Sequence, residues 1–201
     1  MSERRVPRGE ARQRLLDVSL RLIREKGFGA TGVDDLCAAA GVTKGAFFHH
    51  FPTKEALGVV AMRHWAEVTG AMFAAHSYHH LPDPVDRLLA YIDLRRDLAA
   101  GSAGEYSCVA GTAVQEVHAT SPAIRDAARD TIAGGVDHVR EHLAEALAAH
   151  PVPGVTAESL GRFFQVVIQG GILLAKADDN PARLREALDH LERYLRALFS
   201  R

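Results

Sequence analysis

The chain has 201 residues, with 24 basic against 25 acidic side chains and 47% hydrophobic residues. That length and apolar content allow a packed core without a metal or disulfide staple, and they exclude a disordered chain. Cys37 and Cys108 make no disulfide framework, no apolar run is long enough for a bilayer, and the charged first fourteen residues are no signal peptide. A cytoplasmic protein with no membrane partner is expected.

Ala11, Leu15, Val18 and Leu22 recur at helical spacing, which predicts an amphipathic helix over 9–26 that Gly27 ends. A short helix fits Val33 to Ala40, closed by Gly41, and Thr43 caps another from Lys44 to Phe51 before Pro52. Thr53 caps a fourth, with Leu57, Val60, Ala61, His64, Trp65, Val68 and Met72 on one stripe. Asp83-Pro84, Ser121-Pro122 and Asn180-Pro181 each read as an N-cap followed by proline at the first helical position. They open helices over about 84–99, 122–149 and 181–199, Thr156 opens one over about 157–176, and a further helix covers about 105–118. No segment has strand periodicity, so the fold is all-α with about nine helices.

Net charge is uneven along the chain. Residues 1–60 carry ten basic and seven acidic side chains, a net of +3, and the remainder carries −4. A basic head on an acidic body suits a protein that offers one end to a polyanion, although a solvated helix face has the same composition.

Three resemblances to enzyme or metal chemistry fail on context. Gly27-Phe-Gly-Ala-Thr-Gly32 has dinucleotide-loop spacing but follows a helix where that loop needs a strand. His138 and His142 stand one helical turn apart with no third ligand in sequence, so a solvated face is the simpler reading. A di-iron bundle needs Glu-x-x-His on two helices, and the chain contains none. No enzyme, metal or cofactor is expected.

Residues 31–57 carry the most information. Two short helices joined by Gly41-Val42-Thr43 form a helix-turn-helix, whose second helix can enter a major groove. Gly41 supplies the positive φ of a tight turn, Cys37 is small where the helices cross, and Leu36, Val42 and Phe47 are spaced to pack inside. Thr43, Lys44, Gly45, His49 and His50 remain as exposed or backbone-accessible positions.

The run Ala40-Gly41-Val42-Thr43-Lys44-Gly45-Ala46-Phe47-Phe48-His49-His50-Phe51-Pro52-Thr53-Lys54-Glu55-Ala56-Leu57 resembles the DNA-binding domain of TetR-type (tetracycline-repressor-like) transcriptional regulators. The resemblance covers about residues 10–60 and extends to length and helix count. It implies a DNA-binding domain over 1–54 and a helical effector-binding and dimerisation domain over 55–201. Thr43, Lys44 and Gly45 would approach bases and phosphates, and His49 and Lys54 would hold the backbone. Phe48 stands where the family usually has tyrosine, which removes a phosphate hydrogen bond. Gly32 replaces the usual Ser/Thr cap, leaving Thr31 as the nearby hydroxyl.

The resemblance further implies a repressor that binds a palindromic double-stranded operator as a homodimer and is released by a small-molecule effector. Phe164, Val167, Gly171 and Leu174, with Leu188, Leu191 and Leu195, are the candidate dimer surface, although both faces can equally pack within one subunit. Met62, Trp65, Phe73, Ile92, Cys108, Gln115, His118, Phe163 and Gln169 are candidates for an effector chamber. For most of the apolar members, plain core packing is the simpler reading. Gln115, His118 and Gln169 are stronger candidates, because a polar group on a buried face needs a partner. Tyr106-Ser-Cys-Val and the residues to Pro122 also resemble a stretch of certain repressors that respond to electrophiles, so Cys108 is either a reactive thiol or a small buried hydrophobe. The competing class is a helical protein that binds small molecules or metals through its eleven histidines without DNA as target.

Overall fold

The computed structural model describes residues 8–200, with side chains from Glu10 onward; Glu3, Arg4, Arg5 and the Arg8 side chain, counted in the basic head, lie outside that range. Among the described residues there are eleven α-helices and no strand. They are α1 (Arg8–Lys26), α2 (Val33–Ala40), α3 (Lys44–His50), α4 (Lys54–Ala74), α5 (Pro84–Leu98), α6 (Ala103–Tyr106), α7 (Val109–Val117), α8 (Pro122–Gly134), α9 (Asp137–Ala149), α10 (Ala157–Ala177) and α11 (Ala182–Leu198), with a 3-10 turn at Ser77–His80.

The expected count of nine rises to eleven through two breaks. Helix 105–118 divides because Cys108 takes an extended backbone, φ −96° and ψ 126°, and its Sγ accepts from the Gly111 amide as the cap of α7. Helix 122–149 divides after Gly134-Gly135, where two poor helix formers adjoin and Val136 leaves helical geometry. Two proline-marked starts have their expected caps: Asp83 Oδ1 accepts from Val85 N at 2.7 Å and Ser121 Oγ from Ile124 N at 3.3 Å. The third begins one residue later than expected, with Pro181 itself in the cap position and Asn180 Oδ1 accepting from Ala182 N at 3.0 Å. Thr156 and Ser159 exchange hydrogen bonds in a reciprocal cap of α10.

The chain packs as two compact units. One comprises the residues up to Ala66 together with Ser107–Thr131. Its core is Leu15, Leu16, Leu20 and Ile23 of α1, Leu36 of α2, Phe47 of α3, Leu57 and Met62 of α4, and Val109, Ala110 and Ala113 of α7. Segment 107–131, which sequence places in the second domain, thus packs against α1 and the first part of α4. The other unit comprises Glu67–Tyr106 and Ile132–Arg201. There α10 and α11 form a helical hairpin, and Leu184, Leu188, Leu191 and Leu195 are all buried. Arg96 of α5 clamps α11 by donating to Asp189 at 2.8 Å and Glu192 at 2.7 Å. Of the α4 stripe read from sequence, Leu57 and Ala61 are buried whereas Val68 and Met72 are exposed. No described helix is long and apolar enough to cross a membrane.

Candidate nucleic-acid interface

The helix-turn-helix is built as its sequence dictates. Gly41 has φ 66°, a left-handed value that glycine adopts without a Cβ penalty, and its amide returns to the end of α2. Thr43 is extended and its Oγ1 accepts from Ala46 N at 3.2 Å, which starts α3. Phe47 is buried, and its ring meets Phe51 at 6.0 Å and Phe48 at 5.1 Å. Anchored by Phe47, α3 turns Thr43, Lys44, Gly45, Phe48 and His49 to solvent. His50 is half-buried, with its ring 5.0 Å from that of His49. Phe48 is 53% exposed, far more than a core aromatic.

Lys44 extends to Asp34 on α2, Nζ to Oδ1 2.7 Å, and both side chains are mostly in water. That ion pair and its hydrogen bond hold the Lys44 ammonium above its usual range. Burial, followed by the nearby Asp34, pushes the Cys37 thiol up, in keeping with a small packing residue at the helix crossing.

Two expected DNA contacts are differently employed. Thr31 is 1% exposed, and its hydroxyl donates to Gly27 O at 2.7 Å, so it closes the turn after α1 and faces no surface. The cap that Gly32 lacks comes instead from Asp35, whose carboxylate accepts from Gly32 N at 2.9 Å and from Lys26 Nζ at 2.7 Å. Those bonds hold the Asp35 carboxyl below its usual range. Lys54 donates to Phe28 O at 3.0 Å, with its ammonium 4.6 Å from the Phe28 ring centroid, so its charge ties α4 to the turn after α1. The glycine-rich run 27–32 is confirmed as a turn: Gly29 N donates to Glu116 Oε2 at 2.6 Å. Nothing in local sequence marks Glu116, 87 residues away, as that partner.

The effector candidates are dispersed. In the first unit, Met62 is buried, Trp65 is half-buried under the Arg24 guanidinium at 4.5 Å, and Cys108 is half-buried. Gln115 and His118, expected on a buried face, are exposed, because the inward face of α7 is Val109, Ala110 and Ala113. Gln115 Nε2 donates to Gly111 O at 2.9 Å on its own helix. In the second unit, Phe73 and Ile92 are buried core, Gln169 Nε2 reaches Gln165 at 3.5 Å, and Phe163 is exposed against Tyr194 at 5.1 Å. None of the nine lines the small cleft within this unit, about 30 Å³ and bounded by Arg95, Leu98, Tyr106, Ile168, Ile172, Leu184 and Leu188.

The dimer candidates divide in the same way. Phe164, Gly171, Leu188, Leu191 and Leu195 face the chain's own interior. A Cβ at Gly171 would stand 2.8 Å from Leu184 Cδ1, which is how closely α10 and α11 approach. A side chain filled inside one subunit offers no surface to another. Leu174 is 58% exposed and Val167 half-buried, and they adjoin Val166 at 67% and the exposed Phe163, Leu173 and Tyr194. His138 and His142 hold different partners: His138 stacks on Phe73 at 4.4 Å, and His142 Nε2 lies 2.8 Å from His79 Nδ1.

Residues 15–58 match the family described as bacterial regulatory proteins, tetR family. Residues 84–190 match the family described as transcriptional regulator LmrA/YxaF-like, C-terminal domain. The HTH-type transcriptional regulator YxaF of Bacillus subtilis is 24% identical, over 84% of this chain and 86% of that protein. YerO of the same organism is 39% identical over 56 residues, a match that spans 28% of this chain and 19% of YerO. A TetR-family regulator structure from Agrobacterium tumefaciens superposes with a TM-score of 0.81 at 20% identity, covering 94% of this chain and 98% of that one.

Proposed function

This chain belongs to the tetR family of bacterial regulatory proteins, and from that premise we propose that it is a repressor that binds a palindromic operator as a homodimer. The observation that carries this reading is the edge of α3, where Thr43, Lys44, Gly45, Phe48 and His49 stand exposed behind a buried Phe47. Lys44 supplies charge for a phosphate, and the bare backbone at Gly45 permits close approach. His49 and His50 add ring donors at the end of the helix. Thr31 and the Lys54 ammonium are left out of the contact set, for the reasons of burial and prior bonding given above.

One recognition helix reads only a few base pairs, so specificity calls for two helices about 34 Å apart, one helical turn of DNA. The exposed apolar strip of Phe163, Val166, Leu173 and Leu174 on α10, with Tyr194 on α11, supports pairing of two copies through that hairpin. The functional division is a DNA-binding segment over 1–54 and an effector-binding and dimerisation segment over 55–201. A small molecule that binds the DNA-free state more tightly then releases the operator.

The test is selection of binding sites from a random duplex library, followed by footprinting and a salt titration. A two-fold symmetric site whose affinity falls steeply with salt, and is lost in Lys44→Ala, supports the reading. No enrichment above random DNA in the folded wild type overturns it.

A further inference from the structure

Two histidines of the second unit bond to each other between groups that fix where their protons lie. His79 of the 3-10 turn and His142 of α9 meet with His79 Nδ1 2.8 Å from His142 Nε2. At one end of the row, His79 Nε2 lies 3.1 Å from Phe73 O in the last turn of α4. At the other, Arg87 Nη1 of α5 lies 3.2 Å from His142 Nδ1. A carbonyl can only accept and a guanidinium can only donate. One proton arrangement satisfies both ends. Arg87 donates to His142 Nδ1, His142 Nε2 donates to His79 Nδ1, and His79 Nε2 donates to Phe73 O. Both rings are neutral in it, and all four ring nitrogens are used.

A further proton on either ring breaks the row. On His142 Nδ1 it would face the Arg87 N–H, and on His79 Nδ1 it would face the His142 N–H. Moving the His142 proton to Nδ1, so that Nε2 could accept from a charged His79, meets Arg87 again. Arg87 is held in place, since it also donates to Leu81 O at 2.6 Å, Pro82 O at 3.1 Å and Glu145 at 2.5 Å.

The turn brings three other titratable groups: Tyr78, whose ring is 4.0 Å from that of His79, His76, whose Nδ1 accepts from Tyr78 N, and the exposed His80. From α9 come His138, Glu141 and Glu145, and α5 adds Arg95 beside His138. The two carboxylates favour a charged His142. Burial, followed by His79 and Arg87, outweighs them and holds its pKa below the ordinary value.

We infer that His79 and His142 form an acid-sensitive latch, which ties the 3-10 turn and the end of α4 to α9 while both rings are neutral and releases the turn when a proton is taken up. A released His142 regains an ordinary value near 6.5. The latch is therefore fully closed above about pH 6.5 and is lost as the pH falls toward the lowered value of the closed state. Within that window the open fraction grows about tenfold per pH unit for each proton taken up.

Histidine 15N NMR and amide hydrogen exchange on the full-length protein test this. At about pH 7.5, a unit above the ordinary histidine value, both rings should carry their proton on Nε2. Between about pH 7.5 and 5, exchange of the His76 and Leu81 amides, both bonded across the turn, should accelerate at least about tenfold after correction for the intrinsic rate. The amides of Leu188 and Leu191 in α11 should not change. His142→Gln should remove most of the acceleration, because an amide oxygen can accept from a charged His79 and from Arg87 together.

A proton on Nδ1 of either ring at about pH 7.5 overturns the inference. So does turn exchange that ignores pH, exchange that rises equally in α11, or wild-type acceleration in folded His142→Gln. If that variant does not fold, the ring forms and the contrast between turn and α11 in the wild type decide.

Discussion

Glu116 Oε2 accepts the backbone amide of Gly29 at 2.6 Å, joining α7 to the turn between α1 and the helix-turn-helix. Gly27, in the same turn, has φ 96°, and a Cβ there would collide with the Glu116 carboxylate. The turn and the carboxylate are thus fitted to each other, and the turn sets where α2 begins. Replacement Glu116→Ala is expected to cost about 1 kcal/mol of stability, since the bond is charge-assisted but exposed. It should also lower operator affinity, whereas Glu116→Gln keeps an acceptor and retains more of both. Urea unfolding and fluorescence anisotropy on a selected operator measure the two effects; wild-type affinity in Glu116→Ala would show that the link does not position the head.

Asp34 holds Lys44 away from solvent anions in the free protein. Asp34→Asn releases the ammonium and removes a negative charge beside the DNA, so operator binding should tighten. Lys44→Ala should weaken binding across sequences and reduce the salt slope by about one. Affinities measured across a salt series distinguish these outcomes; weaker binding by Asp34→Asn would place Lys44 outside the contact.

The strip on α10 separates assembly from folding. Val166 and Leu174 are mostly in solvent within one chain, so Val166→Glu with Leu174→Arg should leave the thermal midpoint of the isolated subunit nearly unchanged. The same pair should shift sedimentation from dimer to monomer at micromolar concentration. Leu188→Ala behaves oppositely, because it removes a buried side chain from the chain's own core at a cost of roughly 2–5 kcal/mol. A dimer that persists in the charged double variant would place the interface elsewhere.

His138 supplies a pH dependence with a defined sign. Burial, followed by Arg95 of α5, His79 of the 3-10 turn and His142 on its own helix, pushes its pKa down to about 3. The unfolded chain, with an ordinary histidine near 6.5, binds the proton more readily at intermediate pH. This contribution to stability is therefore full above about 6.5 and is lost as the pH falls toward 3. His142, also lowered first by burial, adds in the same direction. Melting curves between pH 7.5 and 4, values chosen to span about that window, should show steeper acid loss in the wild type than in His138→Phe. Parallel curves for the two proteins would rule this histidine out as the source.

The alternation of caps, prolines and glycines determined most of the helix boundaries, and the run from Ala40 to Leu57 determined that the head is a helix-turn-helix. Those signals are local: Gly41 turns because its own backbone permits it, and Thr43 caps because its own hydroxyl reaches Ala46. Asking which face of α10 is inside goes beyond local information. Phe164, Ile168 and Ile172 lie on one face and Phe163, Val166 and Leu173 on another, both apolar and both at helical spacing. Only packing against α5, α9 and α11 buries the first and leaves the second in water.

The site residues divide along the same line. The exposure of Thr43, Lys44, Gly45 and His49 is legible because it follows, on a short helix, from the one buried anchor, Phe47. The burial of Thr31 and the backbone bond of Lys54 are not legible, because their partners, Gly27 O and Phe28 O, belong to a backbone path that side-chain identity does not encode. Glu116 on Gly29, and Arg96 on Asp189 and Glu192, join residues distant in the chain. Their pairing depends on where whole helices come to rest, and that is decided by the summed burial of many apolar side chains rather than by any one of them.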